Sequence, residues 1–305
     1  MYTLHPYKLA LKNGPVREGI LLQIGEQMGD IAPLPGFSRE TLQEAWEEAK
    51  RLPAPPTLPS VRFALACAQS PWPPAFKLPV NALNTYRPGF CTIKLKVGHL
   101  SLEETLVHIR AVPPKVAIRL DFNRQWPLAK LLSLAEHFSP GDFDYWEEPT
   151  AEFSDLLVFS KLTGFPVAVD ESIPEIPYWE IPTLKALVVK PTVLGEVPQA
   201  PPGVELIFSS AYESGVGVLH LARLALQYNP TRPHGLDPYS QFLDDVLASP
   251  PVLKNGWLEW TGCPEDHSIL SLDDEKISMR LPLVFPFNML REKDLFCRPL
   301  PTVFV

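Results

Sequence analysis

The chain has 305 residues, 46% of them hydrophobic and 20% charged, enough to bury a large core in one barrel with a smaller appendage. Its 27 basic and 35 acidic residues give a net charge of −8 with no Lys/Arg-rich block, which argues against a nucleic-acid partner. No run of about 18 uncharged apolar residues occurs and the start, MYTLHPYKLALKNG, lacks a signal-peptide core, so a cytoplasmic protein with no membrane partner is expected.

In chain order, residues 1–30 alternate as strands about a turn at Asn13-Gly14-Pro15, predicting a small antiparallel sheet. The loop 32–38, APLPGFS, is too proline-rich for helix or central strand. A helix is predicted from Ser38, as its cap, to about residue 51, and a second apolar one over 60–69 after the linker PAPPTLP. Together these make an α+β module of about 80 residues, with 81–280 left for a second domain. Proline, 36 residues in all, clusters in connections and reads as stiffened loops. Cys67, Cys91, Cys263 and Cys297 form no CxxC pair, and reduced, buried thiols are expected.

From residue 79, short apolar strands alternate with helical segments, the pattern of parallel βα units. Eight strands are predicted, at 81–84, 91–97, 117–123, 143–147, 167–170, 186–190, 205–210 and 234–236. Helical spacing occupies 102–112, 127–138, 153–163 and 216–228, and only 195–202 is available for a short helix after Lys190. Eight such strands close as a barrel. An open doubly wound sheet is the alternative, weakened because no glycine-rich nucleotide fingerprint follows any strand. Beyond residue 251 the signal is poor, and 281–305 are expected to return to the N-terminal module.

The run TIKLKVG at 92–98 places Lys94 and Lys96 on one face of a strand. Facing a barrel interior, two desolvated ammonium groups disfavour each other's protonation, which would bring a lysine from about 10.4 toward roughly 7–8, the range of a base near neutral pH. Four later strands end in Asp121, Glu147, Asp170 and Lys190, separated by 26, 23 and 20 residues, about one βα unit each. In a parallel barrel these ends converge on one mouth. Three carboxylates there call for a divalent cation, and an all-oxygen set without His or Cys favours Mg²⁺ over Zn²⁺. Arg119 and Asn123 share the face of Asp121 and are candidates to hold its neighbours or a metal-bound water. Glu148 and Glu171, of opposite parity to Glu147 and Asp170, are expected to support the ligands and not to bind metal.

KxK, D, EEP, DES and KP on successive strands resemble the enolase superfamily, and within it the o-succinylbenzoate synthase family. The resemblance also rests on Ala32-Pro-Leu-Pro-Gly-Phe-Ser, Arg119-Leu-Asp-Phe-Asn-Arg and Glu213-Ser-Gly-Val-Gly, and spans residues 32 to about 217. It implies a (β/α)7β barrel with an α+β capping domain, Mg²⁺ (or Mn²⁺ in its place) on Asp121, Glu147 and Asp170, and a small carboxylate substrate. The implied reaction is syn dehydration of 2-succinyl-6-hydroxy-2,4-cyclohexadiene-1-carboxylate to 2-succinylbenzoate, in menaquinone biosynthesis. Lys96 would be the base, Lys190 would stabilise charge on the opposite face, and Lys94 would keep Lys96 deprotonated and touch the carboxylate. Ser209, Ser210 and Gly235 become candidates for reading the succinyl group, and Phe37 for excluding water under a closed loop 32–38. Gln27–Asp30 departs from a more usual Trp-Gly-Glu. N-succinylamino acid racemase, sharing this residue set, is the nearest rival; a silent binding barrel is a distant one.

Overall fold

The computed structural model describes residues 1–12, 14, 16–262 and the backbone of 279–281. Three antiparallel strands, β1 (Tyr2–Leu9), β2 (Arg17–Ile24) and β3 (Gln27–Ile31), form the N-terminal sheet. Two helices follow, α1 (Leu42–Ala49) and α2 (Pro59–Ala68). Alternation divides the sheet between two cores. Tyr2, Leu4, Ile20, Leu22 and Ile31 pack against Ala45, Val61, Ala64 and Ala68 of the helices. Tyr7, Leu9, Leu21 and Met28 face the other way, onto Val216, Leu219 and Trp260.

The first helix starts later than expected. Thr41, not Ser38, is its cap: the Thr41 hydroxyl accepts from the Glu44 amide and the Glu44 carboxylate accepts from the Thr41 amide. Ser38 instead closes the proline loop, its hydroxyl accepting from the Leu34 amide at 2.8 Å.

The strand β4 (Phe76–Pro79) leads into a seven-stranded parallel sheet ordered as in the sequence. Its members are β5 (Ala82–Leu83), β6 (Thr92–Lys96), β7 (Ala117–Asp121), β8 (Tyr145–Glu147), β9 (Val167–Val169), β10 (Leu184–Val189) and β11 (Glu205–Phe208). The crossovers carry α3 (Leu102–Arg110), α4 (Leu128–Ala135), α5 (Phe153–Thr163), α6 (Pro191–Leu194) and, after β11, α7 (Gly215–Tyr228). The short helix after Lys190 lies before Gly195, not after it, because Gly195 takes a left-handed conformation (φ 76°) that ends it.

The expected eighth strand at 234–236 is reduced to two parallel bridges, Val80 with His234 and Ser209 with Gly235. These still join the two edges of the sheet. Pro233 has no amide to donate and Asp237–Gln241 is already a 3₁₀ turn, so little chain remains to form a ladder. Gly235 suits this crowded seam, since a Cβ there would lie 2.7 Å from the Ser209 hydroxyl and displace it.

Past residue 251, β12 (Val252–Lys254) and β13 (Trp257–Trp260) form a hairpin that pairs with β4. Its turn, Asn255-Gly256, has φ of 50° and 78°, the conformation that Asn-Gly favours. Another strand, β14 (Met279–Leu281), pairs antiparallel with β1, placing Leu281 opposite Tyr2. Residues 282–305 lie outside the described residues, as do Cys263 and Cys297. Cys67 is buried, whereas Cys91, at the entry to β6, is exposed, contrary to expectation.

The N-terminal sheet is joined to α7 by a buried carboxylate. Asp30 accepts from the Tyr7 hydroxyl at 2.8 Å and from both the amide and hydroxyl of Ser214, each at 2.8 Å. Burial pushes the Asp30 carboxyl up to about 6; the Ser214 and Tyr7 hydrogen bonds oppose this and the Glu213 charge adds to it. A carboxyl raised above its unfolded value favours the fold fully at low pH and loses that contribution as pH rises to about 6. Relative to Asp30→Asn, the wild type should therefore lose about 2–3 kcal/mol of stability between pH 4 and pH 7. Urea titrations of both proteins at the two pH values measure this, and a pH-independent difference would refute it.

Candidate active site

Alternation along the barrel strands sorts the side chains. Trp146, Val167, Val169, Leu187, Val189 and Phe208 point outward into the main core, whereas Tyr145, Ala168, Ala186, Val188 and Ile207 form a small cluster inside the barrel. One step further along the inward parity come Lys96, Asp121, Glu147, Asp170, Lys190 and Ser209, while Lys94, opposite Arg119 in the layer below, reaches up to them with its ammonium. Register sets Lys96 beside Asp121, and Asp121 beside Glu147, on neighbouring strands about 4.8 Å apart. The ends of five adjacent strands thus bring the expected lysines and carboxylates together.

Their charges are not shared equally. The Lys94 ammonium donates to Asp121 Oδ2 at 2.9 Å and Glu147 Oε1 at 2.7 Å, and the Lys190 ammonium is paired with Asp170. Lys96 is half-buried, and its ammonium makes no hydrogen bond or ion pair with any described residue. Burial alone would lower Lys94, but the Asp121, Glu147 and Asp170 charges hold it well above the ordinary lysine range. The expected depression is thus reversed at Lys94, because the three carboxylates outweigh its burial. Lys190 is likewise raised: the Asp170 charge overcomes burial. Burial raises Glu147, and the Asp121 and Asp170 charges add to that against the pull of Lys94.

The oxygen set suits a hard divalent cation. Glu147 Oε2 is fully buried without a hydrogen-bond partner, and Asp121, Glu147 and Asp170 are all nearly inaccessible to water. Among the described residues no three such side chains are gathered at metal-centre spacing. The Lys94 ammonium lies between two of these carboxylates and the Lys190 ammonium lies on the third, so each neutralises charge that a cation would otherwise meet.

The supporting residues divide differently from expectation. Arg119 does share the inward face of Asp121, but one layer lower, about 7 Å down the strand. Its guanidinium donates to Asp144 (2.8 Å), Asn81 (3.0 Å) and the Pro233 carbonyl (2.7 Å), so it ties the barrel floor across the seam and does not contact the carboxylates above. The Asn123 backbone amide donates to Asp121 Oδ1 at 3.1 Å. Glu148 accepts from the Asp170 amide, the Ser172 amide and the Ser172 hydroxyl at 2.6–3.0 Å, fixing the strand end that carries Asp170. Glu171 is partly buried, its carboxyl raised by burial and then by the Asp170 charge.

Ser210 points away from the interior and donates to Glu213, while the Ser209 hydroxyl faces the Gly235 carbonyl at 3.4 Å. Sequence reasoning missed Asn84, whose side chain accepts from the Lys96 amide at 2.9 Å and so sets the backbone of that lysine. It also missed Arg17, which is buried and donates to the carbonyls of Ala32, Pro33, Ala211 and Tyr212, stapling the proline loop to the barrel. The signal for Asn84 was an asparagine at a strand end, in the left-handed region (φ 59°) that asparagine tolerates.

A cavity of about 1000 Å³ lies between that loop and the barrel mouth, with Pro33, Leu34, Arg39, Asn84, Arg87 and Tyr212 among its walls. Phe37 is 48% exposed and does not line it.

Residues 7–72 match the family described as "MenC, N-terminal domain", and residues 79–180 match "Enolase C-terminal domain-like". The chain is 32% identical to the o-succinylbenzoate synthase of Edwardsiella ictaluri over 82% of this chain and 94% of that one. It is 33% identical to that of Klebsiella pneumoniae over 72% and 83% of the two chains. Among solved structures, an o-succinylbenzoate synthase from Thermosynechococcus elongatus with Mg in its active site superposes with a TM-score of 0.64. It is 23% identical and covers 80% of this chain and 94% of that one, a likeness that shows the fold alone. With its α/β barrel, its N-terminal sheet and its relatives all in agreement, the chain belongs to the o-succinylbenzoate synthase family of the enolase superfamily.

Proposed function

We propose that this chain is an o-succinylbenzoate synthase, a carbon–oxygen lyase that dehydrates 2-succinyl-6-hydroxy-2,4-cyclohexadiene-1-carboxylate to 2-succinylbenzoate in menaquinone biosynthesis. Residues 1–80 act as the capping domain and 81–280 as the catalytic barrel, except that β14 (Met279–Leu281) joins the capping sheet; the two family matches at 7–72 and 79–180 support the division between them. The observation that carries the reading is the contrast among the three lysines of the mouth. Lys94 and Lys190 are ion-paired, whereas Lys96 has no partner among the described residues and is available to exchange a proton. No helix among the described residues is long and apolar enough to cross a membrane, which fits the cytoplasmic location we assign.

Asp121, Glu147 and Asp170 would hold Mg²⁺, which supplies positive charge against the substrate carboxylate whose α-proton leaves. Lys96 Nζ removes that proton. Because the elimination is syn, the hydroxyl departs from the same face, and the proton on Lys96 is the one placed to leave with it as water. Asn84 fixes the Lys96 backbone, and Lys94 binds toward the carboxylate from the same strand. Lys190, on the opposite face, contributes charge. Glu148 and Asn123 orient Asp170 and Asp121 through backbone amides, while the cap and loop 32–38 keep water from the cavity. Ser209 and Gly235 line the seventh and eighth positions, where the succinyl chain would be read.

Incubation with the cyclohexadiene substrate and Mg²⁺ should give the aromatic product, followed by its ultraviolet absorbance. In D₂O the enzyme should form it faster than it exchanges the α-hydrogen of N-succinyl amino acids; rapid exchange with inversion and negligible aromatic product would make it a racemase. Asp121→Ala, Glu147→Ala and Asp170→Ala should each lose Mg²⁺ binding by calorimetry while keeping a native circular-dichroism spectrum. Undiminished binding in all three would remove the metal assignment. Lys96→Ala should bind Mg²⁺ yet turn over roughly 10²–10⁴-fold more slowly, and near-normal turnover would assign the base elsewhere.

A further inference from the structure

We infer that Glu213 is a positioning residue that sets the Lys190 end of β10 and the Ser209 end of β11 relative to each other, aligning the charge-stabilising lysine with the side-chain pocket. The inference deepens the proposed reaction and takes from it the substrate and the roles of Lys190 and Ser209.

Glu213 is fully buried. Its Oε1 accepts from the Thr192 hydroxyl at 2.7 Å, and its Oε2 accepts from the Ser210 hydroxyl and the Ala211 amide, each at 2.7 Å. A carboxylate away from water needs such donors, and these come from two different strand ends. Thr192 stands two residues after Lys190, while Ser210 and Ala211 directly follow Ser209. The Ser210 hydroxyl also accepts from the Tyr212 amide at 3.0 Å, which closes the turn between Ser210 and Glu213.

The Lys190 end needs an anchor from outside its own unit. The ladder between β10 and β11 ends where the Ser209 amide donates to the Val189 carbonyl, one residue short of Lys190. The helix that follows, α6, has four residues and stops at Gly195, whereas α4 and α5 have eight and eleven. A single turn has little stability of its own. Lys190 is the N-cap residue of that turn, its carbonyl accepting from the Val193 and Leu194 amides. By holding Thr192, Glu213 therefore holds the backbone from which the Lys190 side chain projects. Glu213 is itself fixed by its neighbours. Ser214, the N-cap of α7, donates to Asp30 of the capping sheet through both amide and hydroxyl, and α7 passes so close that a Cβ at Gly217 would lie 2.4 Å from the Glu213 Cβ.

The test removes one donor at a time, in Thr192→Val and Ser210→Ala, with Glu213→Gln as the conservative change, in which the Thr192 hydroxyl can turn to accept from the new amide. Calorimetry with Mg²⁺ present compares 2-succinylbenzoate with 2-butyrylbenzoate, where a methyl group replaces the distal carboxyl, and turnover gives kcat and KM. The wild type should prefer 2-succinylbenzoate by about tenfold or more. Thr192→Val should lower kcat about tenfold and leave that preference unchanged. Ser210→Ala should lose most of the preference and raise KM about tenfold, with kcat within about threefold. Glu213→Gln should keep both properties within about threefold. A purely structural role would instead lower the melting temperature and the active fraction without separating kcat from the preference. Equal falls in kcat and in affinity for both ligands, an unchanged kcat in Thr192→Val, an unchanged preference in Ser210→Ala, or a wild type without the preference would each overturn the assignment. The preference is read without turnover, so a wild type that makes no aromatic product refutes the proposed reaction, while the Ser210→Ala comparison still decides this one.

Discussion

A strand in a closed parallel sheet can show the interior only every second side chain, and that limit governs this molecule. Tyr145, Ala168, Ala186, Val188 and Ile207 take the lower inward positions and fill the barrel with apolar volume. The next inward residues on β8, β9 and β10 are Glu147, Asp170 and Lys190, with Asp121 beside Glu147 on β7, so the carboxylate layer begins where this apolar filling stops and Arg119 is the buried cation admitted below it. Shifting any one strand by a residue would replace its charged group with a core residue and bury the charge under a helix. Sheet register therefore fixes the site before any individual hydrogen bond does.

Within that layer the energetics are those of buried ions. Isolated carboxylates at Glu147 or Asp121 would cost several kcal/mol each, and removing one member of such a buried pair typically costs about 3–5 kcal/mol. Lys94 offsets both at once, which is why its ammonium sits between them. Lys96, two residues on along β6, makes no ion pair with a described residue and acts on Asp121 only through space. Two lysines of identical chemistry thus acquire different work from their position along one strand.

Much of this was readable in the amino-acid order. The carboxylates recur about one βα unit apart at the ends of β-prone runs, and that regularity survives folding unchanged. Arg119 was harder, since parity says which face a residue shares but not which layer, and its partners Asn81 and Pro233 lie 38 and 114 residues away. The cap of α1 was misplaced because Ser38 and Thr41 are both good caps, and only the reciprocal bond with Glu44 decides between them. Asn255-Gly256 was a hairpin signal overlooked among prolines. The eighth strand was legible as a place in the ring but not as a ladder, since Pro233 and the turn at Asp237 leave it two bridges.

The staple made by Arg17 bears on how such a chain can change over generations. All its acceptors are main-chain carbonyls, at Glu18, Ala32, Pro33, Ala211 and Tyr212, and a carbonyl is supplied by any residue whatever its side chain. The side chains of the proline loop and of the barrel rim can therefore drift, and the cavity between them can be reshaped for a different acid, without loosening the joint that keeps cap and barrel in place. Selection on substrate choice and selection on assembly act here on different atoms of the same residues.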